Sequence, residues 1–296
     1  MDLRNALLEV LRCMKFHAER ILESPQEKRA DIRAKKGADL YVIEEKSRLD
    51  HPDLISKVAK TPMLQVVEYQ KELSRSNRLS GIIYDAVKQL EATPKEGEEF
   101  HCMWFRAAES LIPDATQFMK ATLYGIKYLL VNDPKKGLLS KPCYYFDFSE
   151  FFKYPILDAV ILDENNNMQL CANSFSARAK QFSHSELYRF FAGHKAVIDP
   201  IELEKSGQIY VADTIASRKE QQKIIEYLES KYSSRVRTLK MNVHGGIVQC
   251  SRQEADQLDM ELSVTTDSNS NTAVRTISDM LEEWSSRRRY RGSRRS

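Results

Sequence analysis

RADIRAKKGADLYVIEEKSR, from Arg29 to Arg48, reads as two strands joined by a tight turn. Lys35-Lys36-Gly37-Ala38 supplies the turn, because glycine enters the positive-φ region that short hairpin loops require. The run Leu40-Tyr41-Val42-Ile43 is β-branched and aromatic, as strands are. It ends in Glu44, Glu45 and Lys46, three charges at the end of a strand that should be buried on both faces. Side chains alternate along a strand, so Leu40, Val42, Glu44 and Lys46 share one face. With Lys36-Gly37 as a two-residue loop, Lys35 pairs with Ala38 and Asp31 falls opposite Val42. Asp31 then shares a face with Glu44, diagonally across the ladder and within reach of one ion. A loop of odd length would send Asp31 to the other face.

Carboxylate oxygens bind hard cations such as Mg²⁺, which keep several waters and accept phosphate oxygens. Such an ion lowers the pKa of a bound water and neutralises charge on a phosphate under attack. A lysine beside it orients that water or stabilises the charge that develops. Asp31, followed thirteen residues later by Glu44-Glu45-Lys46, resembles the D…(D/E)-x-K signature of the PD-(D/E)xK nuclease superfamily. Ala30 stands where that signature usually has proline. The resemblance runs to about residue 50 by motif and to about residue 130 by element order. It implies a metal-dependent nuclease acting on nucleic acid, DNA ahead of RNA, in defence or repair. Asp31 and Glu44 would hold Mg²⁺ or Mn²⁺, the backbone carbonyl of Glu45 would complete the shell, and Lys46 would position the attacking water. The resemblance also implies a carboxylate from an upstream helix, for which Glu19 is the candidate and Glu9 the second. The competing reading is a charged hairpin end on a solvated sheet rim, since E-x-K is short and common. A non-catalytic nucleic-acid or protein-binding module on the same fold is the alternative function. A subunit of a complex driven by a helicase or ATPase is a third.

The remaining chain bounds these readings. Its 296 residues allow one large or two medium domains, and 42% hydrophobic residues are enough for a sizeable core. No apolar run approaches the roughly 20 residues that span a bilayer. Asp2, Arg4, Glu9 and Arg12 interrupt any signal-peptide pattern. The five cysteines are scattered without a C-x-x-C, and the six histidines lack zinc-ligand spacing. A cytoplasmic location with reduced thiols is expected. Net charge is +3, but six arginines lie in the last ten residues, so the rest carries 3 − 6 = −3. The tail could neutralise phosphates regardless of sequence, or simply be solvated. No G-x-x-x-x-G-K occurs, so ATP chemistry would need a partner chain.

In chain order, residues 3–23 carry helical spacing, with Leu3, Leu7, Val10, Met14, Ala18 and Ile21 in step. Residues 54–74 are read as helical, with Gln65, Gln70 and Lys71 as candidates to face the site. Further elements follow: a helix over 82–92, a strand over 100–106, a helix over 114–124 and a strand over 126–131. The fold class expected is α/β, a mixed sheet flanked by helices with a restriction-endonuclease-like core, plus a C-terminal α+β region. Turn residues from Asn132 to Gly137 suggest a division into a nuclease-like core (1–133) and a second region (134–250) for specificity, dimerisation or partner binding. The aromatics from Tyr144 to Tyr154 fit core packing better than base stacking, and Arg178, Lys180 and Lys195 fit solvated charge better than phosphate contacts. Residues 251–296 read as a polar linker, a short helix ending at Trp284 and the arginine-rich tail. Double-strand cutting with one site per chain would call for a homodimer.

Overall fold

The hairpin at Gly37 forms near one side of a seven-stranded sheet. The protein is described here by a computed structural model covering residues 3–22, 27–47, 66–107, 115–133, 137–164 and 167–248, with single positions 56, 60 and 62. Helix α1 (Leu3–Cys13) leads into β1 (His17–Arg20), β2 (Ile32–Lys36), β3 (Asp39–Ser47) and β4 (Val66–Glu72). Next come α2 (Asn77–Ala92), β5 (Glu99–Arg106), α3 (Ala115–Tyr124), β6 (Lys127–Asp133), β7 (Gly137–Tyr144) and the single turn α4 (Glu150–Lys153). Strands β8 (Ala159–Glu164) and β9 (Asn167–Ala172) form a hairpin. They are followed by α5 (Ala179–Phe182), α6 (Glu186–Gly193), β10 (Val197–Ile198), α7 (Pro200–Lys205) and β11 (Tyr210–Val211). Helix α8 (Gln221–Tyr232), β12 (Val236–Leu239) and β13 (Asn242–Val248) close the described chain.

The main sheet has the order β1-β2-β3-β5-β8-β9-β10. Strands β3, β5 and β8 run parallel, while β1, β2 and β9 run against their inner neighbours. This is the α/β architecture with a mixed sheet that the element order implied. One face of the sheet presents Val42, Met103, Phe105, Val160 and Leu162 to α2 and α3. The other presents Tyr41, Ile43, Trp104, Ile161 and Leu170 to α1, α5 and α6. Burial on both faces explains the continuous apolar run of β3. A four-stranded sheet, β11-β7-β6-β12, packs on α8 around Leu129, Cys143, Ile224 and Leu228.

Helix α2 braces β3. Its apolar residues Leu79, Ile83, Ala86, Val87 and Leu90 recur at helical spacing and are all buried. Ser76 caps its N-terminus by accepting from the Leu79 amide. At its other end Thr93 Oγ1 accepts from the Ala30 amide at 2.8 Å, which ties the helix terminus to the residue before Asp31.

Three sequence expectations change. The first helix stops at Cys13, and residues 17–20 are a strand. Lys15 takes a φ of 65° at the reversal, after which burial alternates with a period of two: His17 exposed, Ala18 buried, Glu19 exposed. Residues 66–72, read as helical, form β4, because β13 pairs with it antiparallel from Val66↔Val248 to Glu72↔Asn242. The turn near residue 133 joins β6 and β7, which pair in register up to Asp133↔Gly137. Beyond it, β8 and β9 extend the same sheet that holds β3 and β5. The expected linker, the Trp284 helix and the tail lie outside the described residues, as does Gln65.

Candidate active site

Strand register decides where the acidic residues meet. Lys36 pairs with Asp39, so the hairpin loop is Gly37-Ala38, one position beyond the expected Lys36-Gly37. Gly37 adopts a φ of +61°, and a Cβ there would meet nothing within 4 Å, so its role is conformational. The pairing Ile32↔Ile43 extends by one step to place Asp31 directly opposite Glu44, rather than diagonal to it. Because the loop still holds two residues, Asp31 stays on the expected face.

Glu44 is 1% exposed. Its Oε1 accepts from Lys46 Nζ at 2.5 Å, and its Oε2 is buried without a partner. Lys46 Nζ also donates to Oε1 of Gln89 on α2, whose Nε2 in turn donates to the Arg29 carbonyl at 3.3 Å. Asp31 Oδ2 accepts from the Glu45 amide at 2.8 Å, and Asp31 Oδ1 lies 3.8 Å from Arg20 Nη1. Burial, and next the neighbouring Asp31 carboxylate, push the Glu44 carboxyl up to about 8, against the opposing pull of Lys46. Near neutral pH this carboxyl therefore holds a proton or needs a second cation.

The Glu45 side chain points to the other face. There it lies between Arg106 at 2.8 Å and Arg20 at 3.5 Å. Asp163 joins this group, 3.9 Å from Arg106 and accepting from the Trp104 indole at 3.2 Å. Burial raises the Glu45 carboxyl while the two guanidinium groups pull it back. Only the Glu45 backbone belongs with Asp31 and Glu44.

Of the residues singled out from sequence, the fold brings Asp31, Glu44 and Lys46 together and leaves Glu19 apart. Glu19 is exposed on edge strand β1, opposite Arg33, rather than on a helix. Among the described residues no three His, Cys, Asp or Glu side chains form a metal-holding group. Gln70 and Lys71 lie on β4, and Gln70 is exposed. Gln89 was not foreseen. Its one signal was a polar side chain bordering the apolar stripe of α2, 43 residues beyond Lys46. Arg178, one of the phosphate candidates, is held 2.7 Å from buried Asp158. Of the aromatic group, Tyr144, Tyr145, Phe146 and Phe151 are core, while Phe148 and Phe152 are exposed.

The donor chemistry suits a hard divalent cation. A buried carboxyl oxygen of Glu44 faces the Asp31 carboxylate, close enough to share a proton with it, and Mg²⁺ takes one or two carboxylates with water and substrate phosphate filling the other positions. Comparisons with protein-family models, with curated proteins and with solved structures return no match. No helix among the described residues is long and apolar enough to cross a membrane.

Proposed function

We propose that this chain hydrolyses phosphodiester bonds of nucleic acid, DNA ahead of RNA, with Mg²⁺ or Mn²⁺. The observation that carries the reading is the opposition of Asp31 and Glu44 on one sheet face, with Lys46 bonded to the carboxylate whose second oxygen is buried and unpartnered. When bound, the cation acidifies water and draws charge from the phosphate. Asp31 and Glu44 would hold it, with the Glu45 carbonyl as the third oxygen that the resemblance assigns. The Glu45 amide fixes the Asp31 carboxylate by its hydrogen bond. Lys46, bonded to Glu44 and Gln89 beside that site, would donate to the attacking water or to the developing oxyanion. Gln89 directs the ammonium, since it holds Lys46 from α2 while anchored to the Arg29 carbonyl. Arg20 lies beside both Asp31 and Glu45 and limits the negative charge that the site gathers.

The test is incubation of the purified protein with circular and linear DNA and RNA, with and without Mn²⁺. Glu44→Gln and Lys46→Ala should each abolish cleavage while circular dichroism stays as in the wild type. Cleavage retained in either variant refutes the assignment.

Glu44 and Asp31 already have cationic neighbours in Lys46 and Arg20, which favours a second reading, a non-catalytic binding module on this fold. Nucleic-acid binding without any Mg²⁺ or Mn²⁺ affinity would support that module. Copurification with a helicase or ATPase would place either version in a larger complex.

A further inference from the structure

The same edge and face of the main sheet carry a second concavity. It is a cavity of about 190 Å³ between the start of α3 and the β8–β9 hairpin. Leu162 lines it, and register sets Leu162 level with Phe105, and Phe105 level with Lys46. Two strand spacings, about 10 Å, therefore separate Lys46 from the cavity wall. Leu162, Phe105 and Val42 pack in one core cluster, so the cavity opens on the face that holds Glu44.

The remaining lining is polar. Gln117 and Lys120 come from α3, and Asn167 and Gln169 from β9. Thr116 donates to Glu164 at 2.6 Å and so satisfies one oxygen of the cavity's carboxylate. The side chains of Gln117, Lys120, Asn167 and Gln169 have no hydrogen-bond or ion-pair partner among the described residues. One ammonium and one carboxylate leave the cavity near neutrality, which is a poor match for a phosphate dianion. Three free amides are a good match for a planar heterocycle, because each presents a donor and an acceptor together, as base edges do.

We propose that this cavity receives the base of a nucleotide flanking the scissile phosphate, read by the amides of Gln117, Asn167 and Gln169. The inference rests on the hydrolytic reading for its place along the substrate, but not for its chemistry. A base enters such a recess only when unstacked, so the nucleic acid here is single-stranded or has a flipped base. Lys120 contacts the phosphate of that same nucleotide.

The experiment measures binding of labelled single-stranded and duplex oligonucleotides of defined base composition to the full chain in EDTA, by fluorescence anisotropy. The wild type should favour single strands and one base over the others. Gln169→Ala and Asn167→Ala should flatten that base preference by about tenfold. Lys120→Ala should weaken all sequences alike and reduce the salt slope by about 1. Equal affinity for all bases, or a preference untouched by both amide substitutions, overturns the proposal. A protein that neither binds Mn²⁺ nor cleaves, yet loses its base preference in Gln169→Ala, retires the hydrolytic reading and keeps the cavity. An active nuclease indifferent to these substitutions does the reverse.

Discussion

Glu44 is the residue on which the proposed chemistry turns. Burial raises its carboxyl from 4.5 to about 8, so the folded protein holds a proton there that the unfolded chain has released. Below pH 4.5 both states are protonated and the group does not oppose folding. As pH climbs from 4.5 through about 8, the unfolded state alone is ionised, so stability falls. Above that window the loss is complete. Glu44→Gln removes this titration. In EDTA, urea unfolding should show the variant gaining on the wild type as pH rises, by on the order of a few kcal/mol. A difference independent of pH would mean that Glu44 is ionised in the folded protein throughout. Saturating Mg²⁺ should restore the wild type's stability at high pH, because a bound cation favours the ionised carboxylate.

At the scale of elements, the two-residue loop at Gly37-Ala38 keeps Asp31 and Glu44 on one face. Inserting one glycine after Gly37 should reverse the face of every β2 side chain relative to β3 if the pairing slips to accommodate it. Mn²⁺ binding should then be lost while the circular dichroism of the sheet largely survives. Unchanged binding would show that Asp31 is dispensable. This constellation was legible in the sequence because it is local. Gly37 marks the turn, the Leu40–Ile43 run marks the strand, and parity alone fixes the face, so a one-step error in the loop did not move Asp31 off it. Elements held by distant partners were not legible. Val66–Glu72 fits a helical spacing on its own, and its strand character comes from β13, far along the chain. Ala18 continues the helical repeat of α1, yet alternating burial beside β2 makes its segment a strand. Gln89 reaches Lys46 only because α2 packs across β3.

Over the whole molecule, charge is divided unevenly. The chain is +3, yet all but the last ten residues together carry −3. A body of that charge holds a phosphate backbone only through local basic groups, so the six terminal arginines should supply much of any sequence-independent affinity. Truncation after Trp284 should lower affinity evenly across sequences and reduce the log–log salt slope by about 5, as measured by titration at several salt concentrations. Base preference should persist, since its proposed determinants lie on α3 and β9. A truncated protein that binds as tightly as the full chain would show the tail to be only solvated. The division of the chain near residue 133 looked plausible from turn composition. The main sheet nonetheless recruits β8, β9 and β10 from beyond it, and that pairing of β8 with β5 is invisible to local composition.

The central claim is that Asp31 and Glu44 together hold one divalent cation. Calorimetric titration of Mn²⁺ into the full chain, in the wild type, Asp31→Asn and Glu44→Gln, tests it most directly. One ion per wild-type chain, displaced by Mg²⁺ and lost in both variants, is the expected result. No binding by the wild type, or binding that survives either substitution, would contradict it.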